Sequence, residues 1–312
     1  MLNDEALNAI EVASLLHIGR NAVYQLAKSG DLPSYKAGRK ILFALKDVQA
    51  YLESTRTSSE PSMAGDPFAS GVANLAETNE DEFVVGGQGI ASDLFVDRLQ
   101  TLGFPARRKP CGSYEALHGI YAGQTDAALI HLFDQRTNSY NIPYVQRLAP
   151  GQPVVVFRLV RRWQGFAVAP GNPKKISSWG ALLRDNVRLA NRQKGCGSRV
   201  LQDEKLLSME ANPWSIKGYE SDYITGLAAA NAVASGLADV AVVGEQIAAQ
   251  IDGVEFVRLQ QEWLDLAVSK EGKGRELFRL VKRFFDDEAF KREYSRIVHG
   301  DADNLGAIVY ES

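Results

Sequence analysis

The chain has 312 residues, of which 45% are apolar and 23% charged, a mix that excludes a disordered or fibrous protein and leaves room for two or three folded cores. A formal net charge of −3 excludes binding to nucleic acid through bulk positive charge, so any contact with DNA must come from a local basic patch. The cysteines Cys111 and Cys196 lie far apart and outside any CxxC pattern, and His17, His118, His131 and His299 lack HxxxH spacing, so neither a disulfide framework nor a zinc site is expected.

In chain order, Met1 to Glu11 shows no basic and then apolar leader, and no apolar run reaches membrane-spanning length; a cytoplasmic protein with no membrane partner is expected. Within Ile10 to Leu16 the residues Ile10, Val12, Ala13, Leu15 and Leu16 form a first helix. His17-Ile18-Gly19 is a turn, and Arg20 to Ser29 form a second helix. At about 100° per residue, Arg20, Asn21, Tyr24, Gln25 and Lys28 share one arc of that second helix, and Ala22, Val23, Leu26 and Ala27 share the opposite one. Tyr35 to Phe43 reads as a hairpin with Arg39 and Lys40 at its tip, and Lys46 to Glu53 as a closing helix. From Arg20 to Lys46 six basic residues (Arg20, Lys28, Lys36, Arg39, Lys40, Lys46) face one acid, Asp31. Donors for phosphates and base edges are thus gathered on Arg20, Asn21, Tyr24, Lys28, Lys36, Arg39 and Lys40, with double-stranded DNA as the expected partner. A three-helix protein-interaction domain is the competing reading.

The run Ala9-Ile10-Glu11-Val12-Ala13, Val23-Tyr24-Gln25-Leu26, Gly30-Asp31-Leu32-Pro33, Gly38-Arg39-Lys40 and Asp47-Val48 resembles the excisionase-type, MerR-like winged helix-turn-helix family. The resemblance implies a DNA-binding domain over residues 1–56. A unit this small reaches useful affinity through a second copy, so a homodimer is expected.

From Thr55 to Glu82 the chain turns rich in Ser, Pro, Gly, Asn and acids, and residues 57–81 read as a linker. Beyond it, short apolar runs (Phe83 to Gly87, Ala127 to Leu132, Pro153 to Val160, Val187 to Asn191, Val240 to Gly244) alternate with helical stretches, which implies an α/β domain over 82–312 with a largely parallel sheet. Ala116 to Ala128 and Ala230 to Ala241 share one plan: a helix, a glycine stop, an aspartate and a buried strand. Two similar lobes with a ligand cleft between them follow from that repeat. Small residues recur where strands give way to helices, at Gly86 to Asp93, Cys111 to Tyr114 and Gly195 to Arg199. Unpaired N–H groups and the positive helix end make such places cradles for an anion.

The segments Gly112-Ser113, Gly123-Gln124-Thr125-Asp126-Ala127, His131-Leu132, Tyr140-Asn141-Ile142-Pro143, Gln164-Gly165, Gly171-Asn172-Pro173, Asn191-Arg192-Gln193, Gly195 to Arg199, Gly218-Tyr219-Glu220, Gly236 to Asp239 and Glu262-Trp263 resemble the periplasmic-binding-protein-like domain of molybdate-related regulators. That resemblance implies a type II binding-protein fold. Its crossovers would fall near Arg161 to Gln164 and near Leu259 to Glu262. Lobe I would take about 82–161 and 262–312, and lobe II about 162–261. The implied ligand is an oxyanion such as molybdate or tungstate, held by Ser92, Ser113, Ser198 and N–H groups such as that of Gly197, with Arg192 or Arg199 supplying charge and Tyr219 lining the cleft.

Other readings stay open. Arg192 and Arg199 can pair with Glu220 or Glu204, Tyr219 can simply pack, and Cys111 and Cys196 can serve a thiol response or lie inert in the core. A small organic anion or another solute can replace the oxyanion, or the chain can be a solute binder without a DNA role. No nucleophile elbow, phosphate loop or HExxH motif appears, so no enzyme and no cofactor are expected.

Overall fold

The computed structural model describes residues 6–9, 12, 23, 26–27, 32–37, 40–44, 46–48, 82–298 and 300–312. Two units, Met1–Ala76 and Glu77–Ser312, are each compact in themselves. In the first, strands β1 (Ala6–Asn8), β2 (Tyr35–Ala37) and β3 (Lys40–Ala44) form an antiparallel sheet in the order β1-β3-β2. The expected hairpin is β2 and β3, paired from Tyr35↔Leu42 to Ala37↔Lys40. Ala9, Val12, Val23, Leu26, Ala27 and Lys46 to Val48 are helical. Val12, Val23, Leu32 and Phe43 are fully enclosed with Ala9 and Val48 around them, as the apolar arcs require. Strand β1 is not anticipated by the sequence pattern. Three residues are too few to show a period, and it forms because Leu7 can pair with Phe43 on the free edge of β3. Arg20, Asn21, Tyr24, Lys28, Arg39 and the linker 57–81 lie outside the described residues, while Lys36 and Lys40 stand on β2 and β3.

In the second unit strands β4 (Phe83–Gly86), β5 (Ala106–Lys109), β6 (Ala127–Ile130), β9 (Val154–Val168), β10 (Leu189–Ala190), β11 (Val240–Gly244), β12 (Glu255–Ser269) and β13 (Ile308–Glu311) make one sheet. Its order is β10-β11-β9-β12-β6-β4-β5, with β13 beside β9, and β7 (Phe133–Asp134) and β8 (Ser139–Tyr140) pair separately. The helices are α1 (Ile90–Thr101), α2 (Ser113–Tyr121), α3 (Ile142–Leu148), α4 (Gly197–Ser208), α5 (Gly226–Ala234), α6 (Glu245–Ala248), α7 (Gly274–Asp286) and α8 (Glu288–Ile297). Strand pairs β4–β5, β4–β6 and β10–β11 are parallel, as the alternating pattern predicts. The difference lies in β9 and β12, each of 15 residues, which run antiparallel from Glu255↔Val168 to Ser269↔Val154. They are the two crossovers, and each gives one half to lobe I and the other half to lobe II. Around the crossing Gln260 opposes Gln164 and Glu262 opposes Arg162, with register breaks at Arg258/Gln260 and Leu264/Asp265.

Alternation along β9 sends Val155, Phe157 and Leu159 to one face of lobe I, where Phe95, Phe285 and Tyr294 pack, and Val154 and Val156 to the other, with Leu117, Ile130 and Leu132. In lobe II the face built on Phe166, Leu189 and Val242 is bulky, whereas Ala190, Ala229, Ala230 and Ala241 let α5 lie close on the opposite face.

The internal repeat is physical. After α2, Gly123 has φ 67 and Asp126 accepts from Val84 N at 2.8 Å; after α5, Gly236 has φ 71 and Asp239 accepts from Arg188 N at 2.7 Å. Each aspartate also returns its own N–H to the same strand residue and meets a lysine, Lys273 or Lys174. Among the described residues no helix is long and apolar enough to cross a membrane.

Candidate anion site between the lobes

Where the crossovers meet, Glu262 is 1% exposed and gathers three donors: His131 Nδ1 at 2.9 Å, Arg162 Nε at 2.6 Å and Gln164 Nε2 at 3.0 Å. Burial by itself raises this carboxyl, but the charges of His131 and Arg162 and the bonds from His131 and Gln164 outweigh it and hold it down at about 2. An ionised carboxylate only accepts, so Nδ1 carries the proton of the His131 bond. Ser198 Oγ donates to Gln164 Oε1 at 3.2 Å, which ties the start of α4 in lobe II to the crossing. The Ser198 hydroxyl is therefore engaged in the hinge.

The lips of the cleft touch through glycine. Tyr114 N in α2 donates to Gly195 O at 3.0 Å, and a Cβ on Gly112 would lie 2.7 Å from that oxygen. A Cβ on Gly197 would lie 2.4 Å from the His131 ring, so only glycine permits the approach. Ser113 opens α2 and is 5% exposed, and its hydroxyl has no partner among the described residues. Ser92 is different: its Oγ donates to Gly89 O at 2.7 Å and closes the first turn of its own helix.

Arg192 stands at the other side of the mouth and is 8% exposed. Its Nε donates to Tyr223 O at 3.1 Å, and its Nη2 donates to Ile224 O at 3.0 Å and to Gln88 Oε1 of lobe I at 3.2 Å. Nη1 lies 3.3 Å from where a Cβ on Gly226 would stand, at the start of α5. Thr225 caps that helix by accepting from Ala228 N at 3.0 Å, so the N–H groups of Gly226 and Leu227 have no acceptor among the described residues. No carboxylate pairs with Arg192 among the described residues. A guanidinium out of water, without a counter-charge and against a positive helix end, is unfavourable by itself and favours an anion.

Arg199, 2% exposed, is already neutralised. Its Nε reaches Asp203 at 3.1 Å, Asp222 lies 3.9 Å from Nη1, and its guanidinium lies 4.2 Å over the Tyr219 ring. Nη1 also donates to Arg192 O at 3.0 Å, and Tyr219 OH donates to Asp203 Oδ1 at 3.0 Å. Arg199 and Tyr219 thus brace the strand that carries Arg192. The partners are Asp203 and Asp222, while Glu204 takes Tyr144 OH and Gln135 N. Cys111 and Cys196 are each 4% exposed, and burial pushes the Cys111 thiol up to about 11, away from reactivity.

Of the residues singled out from the sequence, Arg192 Nη1, the Ser113 hydroxyl and the Gly197 N–H have no partner among the described residues. Thr225 and Gly226 were not singled out, and Gln88 entered only as one residue of the Gly86 to Asp93 cradle. Thr225-Gly226 ahead of an alanine-rich helix is itself a cap signal, but the repeat drew attention to the end of that helix rather than its beginning.

Residues 96–286 match the PBP-like family, described as a PBP superfamily domain, and residues 6–56 match a helix-turn-helix domain. The chain is 34% identical to the uncharacterised protein YvgK of Bacillus subtilis (strain 168) over 303 residues, 97% of each chain. It is 31% identical over 112 residues to a Clostridium pasteurianum protein encoded in the 5′ region of a 2Fe-2S ferredoxin gene, covering 36% of this chain and 99% of that one. A periplasmic protein named a candidate metal binder superposes with a TM-score of 0.52 at 14% identity, over 73% of this chain and 96% of that one; this is a likeness of fold alone. Two crossover strands, two lobes and the family match agree: the chain belongs to the PBP-like family and carries a helix-turn-helix domain ahead of its binding-protein domain.

Proposed function

We propose that this protein is a cytoplasmic DNA-binding transcriptional regulator whose two-lobed domain senses a small anion, molybdate or tungstate first among the candidates. The observation that carries the reading is Arg192. It is a buried guanidinium with no carboxylate partner among the described residues, and its Nη1 lies at the unpaired N–H groups of α5. A fork of N–H donors at a helix start fits an oxyanion, with the Ser113 hydroxyl as a further donor from the facing lobe. The choice of molybdate or tungstate rests on the family resemblance; the two open N–H bonds of Arg192 Nη1 suit a small carboxylate equally well. A dimer of the helix-turn-helix unit would supply the DNA affinity that one copy lacks.

Calorimetric titration with molybdate, tungstate, sulfate, phosphate and formate tests the reading. We expect one of these to bind, and Arg192→Ala to weaken it by about 2–5 kcal/mol, since a buried charge pair is lost. Gly226→Ala should weaken binding, because its methyl would stand 3.3 Å from Nη1, with a small fall in melting temperature because the same methyl meets Ile247 Cγ2 at 3.3 Å. Full affinity in both variants would remove Arg192 from the site.

A further inference from the structure

Three of the five N–H bonds of Arg192 are placed, one on Tyr223 O, one on Ile224 O and one on Gln88 Oε1. The first two acceptors are carbonyls of lobe II. Gln88 is the side chain that reaches Arg192 from lobe I. Its place follows from the turn between β4 and α1: a Cβ on Gly86 would stand 2.9 Å from Ala116 Cβ and one on Gly87 3.0 Å from Leu129 Cβ, whereas Gly89, with φ 93, faces open space, so the turn is packed on its β4 side and residue 88 projects at the lip. A guanidinium only donates, so the amide oxygen is the atom that faces it. Gln88 is exposed, and its amide nitrogen, with two hydrogens, has no acceptor among the described residues and is open to a ligand.

We propose that Gln88 is the lobe I half of the anion site. Its Oε1 ties Arg192 across the cleft, and its Nε2 donates to the same anion that Arg192 Nη1 binds. The inference rests on the reading of Arg192 as the anion anchor. A neutral amide suits this role, because it bonds the guanidinium without cancelling the charge that attracts the ligand. A carboxylate in its place would keep the reach and the acceptor, lose the donor, and neutralise Arg192 from within.

The test uses the full chain with substitutions at 88 and 192, titrated with molybdate, tungstate, sulfate and formate and melted with and without each. Gln88→Glu should bind the parent's anion at least about tenfold more weakly, yet melt higher than the parent when no anion is added. Gln88→Ala should bind several-fold more weakly and melt no higher than the parent. Parent-like affinity in Gln88→Glu would overturn the proposal. If the parent binds none of the four anions, the anchor reading fails. The tie is then decided separately by a melting cycle of Gln88→Glu, Arg192→Gln and the double variant. A gain from Gln88→Glu that vanishes with Arg192→Gln supports the tie, and a gain that persists unchanged overturns it.

Discussion

Asp265 on β12 has no solvent exposure, yet it carries a carboxyl in the middle of lobe I. Asn141 Nδ2 donates to its Oδ2 at 2.7 Å, and Arg158 Nε stands 3.4 Å from its Oδ1 while its guanidinium covers Trp263 at 4.1 Å. Burial pushes Asp265 up to about 6, and the opposing pull of Arg158 and Asn141 does not offset it. A carboxyl raised on folding favours the native state most when both states are protonated. Its contribution is therefore full below the ordinary carboxylate range and is lost as pH rises toward 6. Glu262, held down at about 2, has the opposite sign: its contribution is full above the ordinary carboxylate range and is lost as pH falls toward 2. The loss from Asp265 is on the order of 1–3 kcal/mol. We expect Asp265→Asn to flatten the fall in melting temperature between about pH 4 and 6.5 while leaving the acid limb set by Glu262 in place. Melting curves collected across that range check this, and an unaltered profile would mean that Asp265 is ionised throughout. Asn141, the other half of the pair, has φ 67 and all its side-chain atoms in use, accepting from Leu132 N and donating to Trp263 O and Asp265. A left-handed asparagine in a closed network is held by its partners rather than by its own preference.

Helix α4 shows what a single position decides. Alanine favours a helix over glycine by about 1 kcal/mol, so Gly197→Ala should stabilise α4 in isolation. In the folded chain its methyl would overlap the His131 ring and carbonyl. We expect a net loss of about 1–3 kcal/mol and a larger radius of gyration in small-angle scattering; a rise in melting temperature would show that the lips do not touch in solution. Most elements of the binding-protein unit were legible in the sequence, because strands β4, β6 and β11 are continuous apolar runs and the glycine stops after α2 and α5 have one geometric solution. Two features were not. The length of β9 and β12 is hidden where Arg161, Arg162, Trp163 and Gln164 interrupt the apolar run, and within the Gly86 to Asp93 cradle nothing marks the Gln88 side chain, rather than the backbone, until lobe II is folded opposite it. Likewise Ser92, Ser113 and Ser198 all fall in the first turn of a helix, and only the fold shows that the first donates back to Gly89 O, the third joins the hinge and the second has no partner among the described residues.

At the level of the whole chain, a regulator requires the anion and the DNA to influence each other. Linkage makes the influence equal in both directions, typically about 1–3 kcal/mol. We expect saturating anion to change the operator dissociation constant several-fold, the operator to change anion affinity by the same factor, and deletion of Ser58 to Ala73 to alter that factor without changing anion affinity in the absence of DNA. Operator affinity identical with and without anion, at fixed salt, would leave an anion binder attached to a DNA reader. The two long strands carry a different consequence, in time rather than in space. Lobe II lies between the two halves of lobe I in the sequence, so during synthesis it has all its strands once the first half of β12 emerges. Lobe I must wait for the second half of β12, for α7 and α8, whose Phe285, Phe290 and Tyr294 surround Phe95, and for β13. Contacts so distant along the chain form slowly. The nascent protein therefore passes through a stage in which one lobe is complete and the apolar faces of α1 and β4 are still uncovered. During that interval those uncovered apolar faces are open to aggregation, chaperones and proteases.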